Sequence, residues 1–199
     1  MTNVSTAQVW YPVPPWVWVV LAVASTVACV TDLRNMRIPN LLSLPLLAFG
    51  LLYGAWVGGF PGLGQSLGGA AIAGVIFVAA YALAGGGAGD AKLMMALGAW
   101  LGVDRSVLLV MCVAVAGVFW AIGITIARGG VRDVPVFLMH NVLSIRYGAR
   151  RLLRGRAAVA QTIPSAPQPR FKGWYPYAPV ILVGTIAAWW YWEQKGPIV

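Results

Sequence analysis

The sequence predicts an all-α membrane protein: a bundle of about six transmembrane helices with a basic cytoplasmic loop that contains an interfacial amphipathic helix. Three observations carry that expectation. Of the 199 residues, 60% are apolar and 10% charged, and mean hydropathy is +0.78, far outside the range of soluble globular domains. The apolar residues recur in runs near the length that crosses a bilayer, about 20 residues. Twelve of the 14 basic residues fall on alternate connections between those runs or at their edges.

The runs lie at about 14–30, 41–58, 67–84, 91–103, 106–127 and 177–192. No Lys or Arg occurs among the first ten residues and no A-x-A-like site follows the first run, so the first span is expected to stay in the mature protein. In the second run Gly50, Gly54 and Gly58 recur every fourth residue, and Gly98 and Gly102 repeat the pattern in the fourth, a spacing that lets neighbouring backbones approach closely. The fourth run would rise only about 20 Å, against a hydrocarbon core of about 30 Å, which would recess Asp90 at its start. Beyond the fifth, Val134, Phe137, Leu138, Val142 and Ile145 have helical spacing and are followed by Arg146, Arg150, Arg151, Arg154 and Arg156. That is the pattern of an amphipathic helix whose basic end meets anionic headgroups. A proline-rich connector, residues 163–169, leads to the last run. Trp10, Tyr11, Trp16 and Trp18 near the first run, and Trp189, Trp190, Tyr191 and Trp192 in the last, fit interfacial anchoring.

All the basic residues except Arg105 and Lys195 lie on loops 31–40, 85–92 and 128–176 or at their edges. The positive-inside rule places those loops in the cytoplasm and both termini outside. Residues 1–199 read as a single integral membrane domain with membrane lipids as partner, and the +9 charge reports orientation rather than nucleic-acid binding. Cys29 and Cys112 lie far apart within apolar runs, so neither a disulfide framework nor a CxxC site is expected.

Five acidic residues remain as candidates for chemistry. Asp104 sits beside Arg105 in an expected external turn, Asp133 beside Arg132, and Glu193 near Lys195, so each reads as solvated or ion-paired. Asp32 and Asp90 differ, because each marks the cytoplasmic end of an apolar run, where ionisable groups are costly and point to function. Asp90 closes a glycine run, Gly85 to Gly89, that lets backbone approach a bound peptide or a neighbouring helix. Two carboxylates brought together cannot both ionise cheaply and would share a proton, one acting as general base on water and the other as general acid toward a peptide carbonyl. Such hydrolysis requires no metal or cofactor, and none is expected. His140 is the single histidine, which excludes a two-histidine zinc motif. Gly64-Gln65-Ser66-Leu67-Gly68 matches G-x-S-x-G formally, but in an expected glycine-rich turn with no preceding strand.

Asp32 is followed by a short basic stretch and Ile38-Pro39-Asn40, and Asp90 stands in Gly87-Ala88-Gly89-Asp90-Ala91-Lys92-Leu93. In these segments the chain resembles the small prepilin leader peptidases of the type IV pilus and tight-adherence (Flp pilus) systems, among the GxGD aspartic membrane proteases. The resemblance implies cleavage of the basic leader from pilin-like precursors at the cytoplasmic face of a bacterial inner membrane, with Asp32 and Asp90 as the catalytic pair. It implies motif support or substrate binding by Gly87, Gly89, Lys92, Arg37, Ile38, Pro39 and Asn40. Tyr175-Pro176-Tyr177-Ala178-Pro179 before the last run is similar to a further family feature. Larger relatives add an N-methyltransferase function with paired cysteines, which is not expected here. Arg34, Arg37 or Lys92 could meet an acidic residue of the precursor. Other readings are an archaeal-type preflagellin peptidase or another GxGD intramembrane protease, a small transporter in which the aspartates carry protons or cations, and a non-enzymatic pilus assembly subunit. Pattern alone leaves the oligomeric state, the helix order and the depth of Asp90 open.

Overall fold

The structure, a computed structural model, describes residues 13–84, 88–129 and 176–195. Trp10, Tyr11, Gly85 to Gly87 and the whole of 130–175, including the expected amphipathic helix, His140 and Asp133, lie outside the described residues. The described chain is all-helical: α1 spans Pro15–Asn35, α2 Asn40–Ala84, α3 Ala88–Gly129 and α4 Ala178–Lys195. Among these, α1, α2 and α3 are long and apolar enough to cross a membrane. The protein is an integral membrane protein.

Helix α1 opens with Pro15 in its first turn, where a missing N–H costs nothing. It ends where Met36 turns left-handed, φ 51° and ψ 34°, and donates its N–H to the Asp32 carbonyl at 2.8 Å. Pro39 then starts α2, its carbonyl accepting from the N–H of Leu42 at 3.0 Å.

A straight helix of the length of α2 would extend about 68 Å, more than twice the hydrocarbon core. The chain instead doubles back at Gly59, whose φ of 59° with ψ of −143° no side-chain-bearing residue adopts readily. Ser66 Oγ donates to the Gly50 carbonyl at 3.2 Å across that reversal, a separation of 16 residues that a straight helix would hold about 24 Å apart. Helix α3 does the same at Gly102, φ 73° and ψ −177°, and Ser106 Oγ reaches the Gly98 carbonyl at 3.2 Å. Each long helix is thus a hairpin of two arms. The second arm of α2 crosses the first arm of α3 with backbones nearly touching, because a Cβ added at Gly69 would run into the Gly98 and Gly102 carbonyls.

The first arm of α3 is the centre of the molecule, with Leu93, Met94, Leu97 and Leu101 fully buried. Trp100 on this arm donates its indole N–H to the Leu46 carbonyl at 2.8 Å and stacks on Tyr53 at 5.3 Å. The outer surface is apolar, with Trp56 88% and Phe60 91% exposed, as expected where lipid rather than water is the solvent.

Two expectations are corrected, on the segment 64–68 and on Trp18, and one is extended, on Arg105. The segment 64–68 is helical rather than an external turn, and Ser66 is fully buried with its hydroxyl on a helix carbonyl. Without water, backbone groups must bond within the segment, so the glycines and Pro61 are absorbed into a tight reversal. Trp18 is 4% exposed, a core residue and not an interfacial anchor. Arg105 places its guanidinium 4.3 Å from the Trp192 ring centroid, so α4 supplies it with an aromatic partner in addition to any neighbouring carboxylate.

Candidate functional site

Four helix ends converge at one end of the molecule. Asp32 lies in the last turn of α1 and is 7% exposed. Asp90 lies in the first turn of α3, where backbone N–H groups lack helical acceptors and a carboxylate is favoured, and it is half-buried. The two carboxyl groups are close enough to interact electrostatically, although 58 residues separate them in the chain (90 − 32).

The two motifs that carry these aspartates also lock to one another. Ile38, between α1 and α2, packs on Gly89, where an added Cβ would stand 3.1 Å from the Ile38 Cβ. One turn further along α3, Lys92 Nζ donates to Asn40 Oδ1 at 2.9 Å. The polar contact and the apolar contact join the start of α2 to the start of α3. They hold the two motif segments against one another. Pro39 holds Ile38 and Asn40 in register by pre-setting the entry to α2. Arg34 and Arg37 are exposed at the same end. Gly87 lies outside the described residues.

A third partner comes from α4. The backbone N–H of Ala178, the first residue of that helix, donates to Asp32 Oδ2 at 3.1 Å, and Ala178 is fully buried. Tyr177, the residue before it, lies within the electrostatic reach of Asp90. Its ring meets Phe77 edge-on at 5.8 Å, and its hydroxyl occupies a notch that Gly117 leaves open. Sequence reasoning had marked the Tyr175 to Pro179 segment only as a family-like feature. Nothing in its composition revealed that a main-chain N–H, with no side-chain signature, would reach Asp32.

The arrangement offers two carboxyl groups in a largely buried setting, one anchored by a backbone donor and both near an end open to basic side chains. That is the equipment of acid–base hydrolysis by a shared proton.

A family model described as the type IV leader peptidase family matches residues 19–122, a stretch that includes both aspartates. The chain is similar to the prepilin leader peptidase/N-methyltransferase of Aeromonas hydrophila, 35% identical over 112 residues that make up 53% of this chain and 38% of that protein. It is likewise similar to the protein of the same description from Aeromonas salmonicida (strain A449), 33% identical over 112 residues with the same shares. The match thus spans well under half the length of these curated relatives. No solved structure matches the chain.

Proposed function

The chain belongs to the type IV leader peptidase family, and on that premise we propose that it is a prepilin-type leader peptidase in which Asp32 and Asp90 hydrolyse the peptide bond between the leader and the mature part of a pilin-like precursor. The observation that carries this reading is the meeting of Asp32 and Asp90 at one end of the molecule, each brought there by its own motif and close enough to interact.

The chemistry follows from two carboxyl groups that hold one proton between them. The ionised carboxylate takes a proton from a water as its oxygen attacks the scissile carbonyl carbon, and the protonated carboxyl gives its proton to the carbonyl oxygen. Collapse of the tetrahedral intermediate breaks the C–N bond. The leaving amine takes up the proton first removed from water, the carboxylate that had protonated the carbonyl oxygen takes a proton back from a hydroxyl of the diol as C=O re-forms, and the pair returns to its starting state. No covalent enzyme intermediate forms.

The same proposal places six crossings in a bacterial cytoplasmic membrane: α1, two arms each of α2 and α3, and α4. The site then faces the cytoplasm and the precursor's leader, and the tight-adherence type is the pilus system proposed. Support comes from the reversals at Gly59 and Gly102 and from the basic residues that crowd the site end of the sequence.

The test is cleavage of a purified pilin-like precursor by detergent-solubilised wild type, Asp32→Asn and Asp90→Asn, each checked for folding. Asn keeps the shape and removes the ionisable group. Wild type should cut, and each variant should lose at least about 100-fold in kcat, since general acid–base groups contribute about 100- to 10,000-fold each. Cutting by both variants at the wild-type rate would overturn the assignment.

A further inference from the structure

The chemistry of two aspartates depends on where their oxygens point, and Asp32 is tethered by the Ala178 N–H on Oδ2 at 3.1 Å. That N–H is itself held by what precedes it. The Tyr177 carbonyl begins α4 by accepting from Val180 N–H at 2.9 Å and Ile181 N–H at 3.3 Å, so the turn at 177 and the donor at 178 move as one piece. The Tyr177 side chain is lodged between Phe77 on α2 and the second arm of α3. On α3 the notch exists only because residue 117 has no Cβ, which would otherwise stand against the Tyr177 hydroxyl and 3.3 Å from its ring carbon Cζ. Helices α2 and α3 therefore fix Tyr177, Tyr177 fixes the first turn of α4, and that turn fixes the carboxylate on α1.

We propose that Tyr177 and Ala178 are positioning residues of the site: Tyr177, seated in the Gly117 notch, holds the Ala178 N–H where it orients the Asp32 carboxyl for reaction. The proposal rests on the two-aspartate reading and assigns its orienting element to a helix that neither aspartate motif contains. Tyr177 and Gly117 act through Ala178, and neither is placed at the scissile bond.

The chain of contacts can be tested at its far end. Gly117→Ala puts a methyl group where the Tyr177 hydroxyl lies, so the ring must move and carry the turn with it. A misplacement of about 1 Å at a reacting group costs up to about 100-fold in rate. Gly117→Ala should lower kcat at least about tenfold with KM held within about twofold, because precursor binding is left alone. Removing the hydroxyl relieves the collision, so Gly117→Ala/Tyr177→Phe should recover kcat toward the ceiling set by Tyr177→Phe measured by itself. A purely structural role for Tyr177 predicts a lower thermal midpoint for Gly117→Ala and an unchanged kcat per folded enzyme, which would overturn the proposal. So would a fall in kcat that Tyr177→Phe does not reverse. Replacing Ala178 with its α-hydroxy acid counterpart, which turns the donor N–H into an ester oxygen, should give the same loss of kcat, and wild-type kcat there would equally overturn it. Asp32→Asn and Asp90→Asn are run alongside. If those cut normally, the two-aspartate reading itself has failed; if they are inactive while Gly117→Ala keeps wild-type kcat, only the positioning role has.

Discussion

At the scale of single residues, the motif side chains divide into those proposed to react and those that brace. Lys92 lies at the same end as Asp90, yet its ammonium is bonded to Asn40, which makes it a strut between the starts of α2 and α3. A hydrogen bond to a charged group contributes about 1.5–3 kcal/mol at most, and less where water competes, as at this exposed pair. Lys92→Gln and Asn40→Ala should each lower the cleavage rate roughly tenfold on any precursor, and the double variant should lose little more than either one, a non-additivity that a double-mutant cycle measures. Arg34 and Arg37 carry exposed positive charge beside the site, so Arg37→Gln should weaken the preference for a precursor with an acidic residue near the cut while sparing one without it. Equal effects of Lys92→Gln and Arg37→Gln on that preference would erase the distinction. The two aspartates proposed to react drew notice in the sequence because they stand at the ends of apolar runs in a chain with five acidic residues. Ala178 and Gly117 were not legible. One contributes a main-chain N–H and the other the absence of a side chain, and neither leaves a chemical mark in a chain with 24 glycines.

At the scale of elements, glycine is used in two different ways, and the difference is measurable. The Cβ of an alanine at position 69 would meet backbone carbonyls of α3, which no rotamer change can relieve, so the two helices would have to separate. Overpacking of this kind costs about 1–3 kcal/mol, and Gly69→Ala should lower thermal stability in detergent accordingly. Gly64 is also helical, but nothing lies within 4 Å of the site a Cβ would take. There the lost backbone freedom of glycine is the only consideration, and Gly64→Ala should be neutral or stabilise by up to about 1 kcal/mol. A fall in stability for Gly64→Ala equal to that for Gly69→Ala would refute the crossing described here. Sequence spacing predicted close approach at Gly98 and Gly102, and the structure puts Gly69 opposite both. What spacing could not supply was the partner, since Gly69 belongs to no four-residue repeat with Gly50, Gly54 and Gly58. Sequence also placed Gly64 to Gly68 in a glycine-rich turn. The physical requirement to bond every peptide group without water compresses the reversal to the single residue Gly59.

At the scale of the whole molecule, the arms and the charges make one joint prediction about the membrane. The site end holds Arg34, Arg37 and Lys92, and α4, which follows the strongly basic segment 128–176 in the sequence, starts at that same end. The opposite end holds the reversals at Gly59 and Gly102 and the Arg105 to Trp192 contact. Between residue 37 and residue 194 the chain runs through two arms of α2, two of α3 and then α4. If every one of these crosses the bilayer, those two positions lie on opposite faces, and the basic one is cytoplasmic. Both native cysteines are free and can be replaced by serine, giving a background for single-cysteine labelling. In intact cells a membrane-impermeant maleimide should then label Gln194→Cys and leave Arg37→Cys untouched until the membrane is opened. The reverse pattern would invert the orientation and move the aspartates away from a leader that is still in the cytoplasm. Labelling of both from one face would mean that one of the arms fails to cross. The short first arm of α3 is the one to suspect, since the residues from Ala88 to Gly102 rise only about 20 Å. The contacts of Gly89 with Ile38 and of Lys92 with Asn40 hold the start of α3 level with the start of α2, so an arm that short crosses only if its Gly102 end meets a bilayer thinned around it.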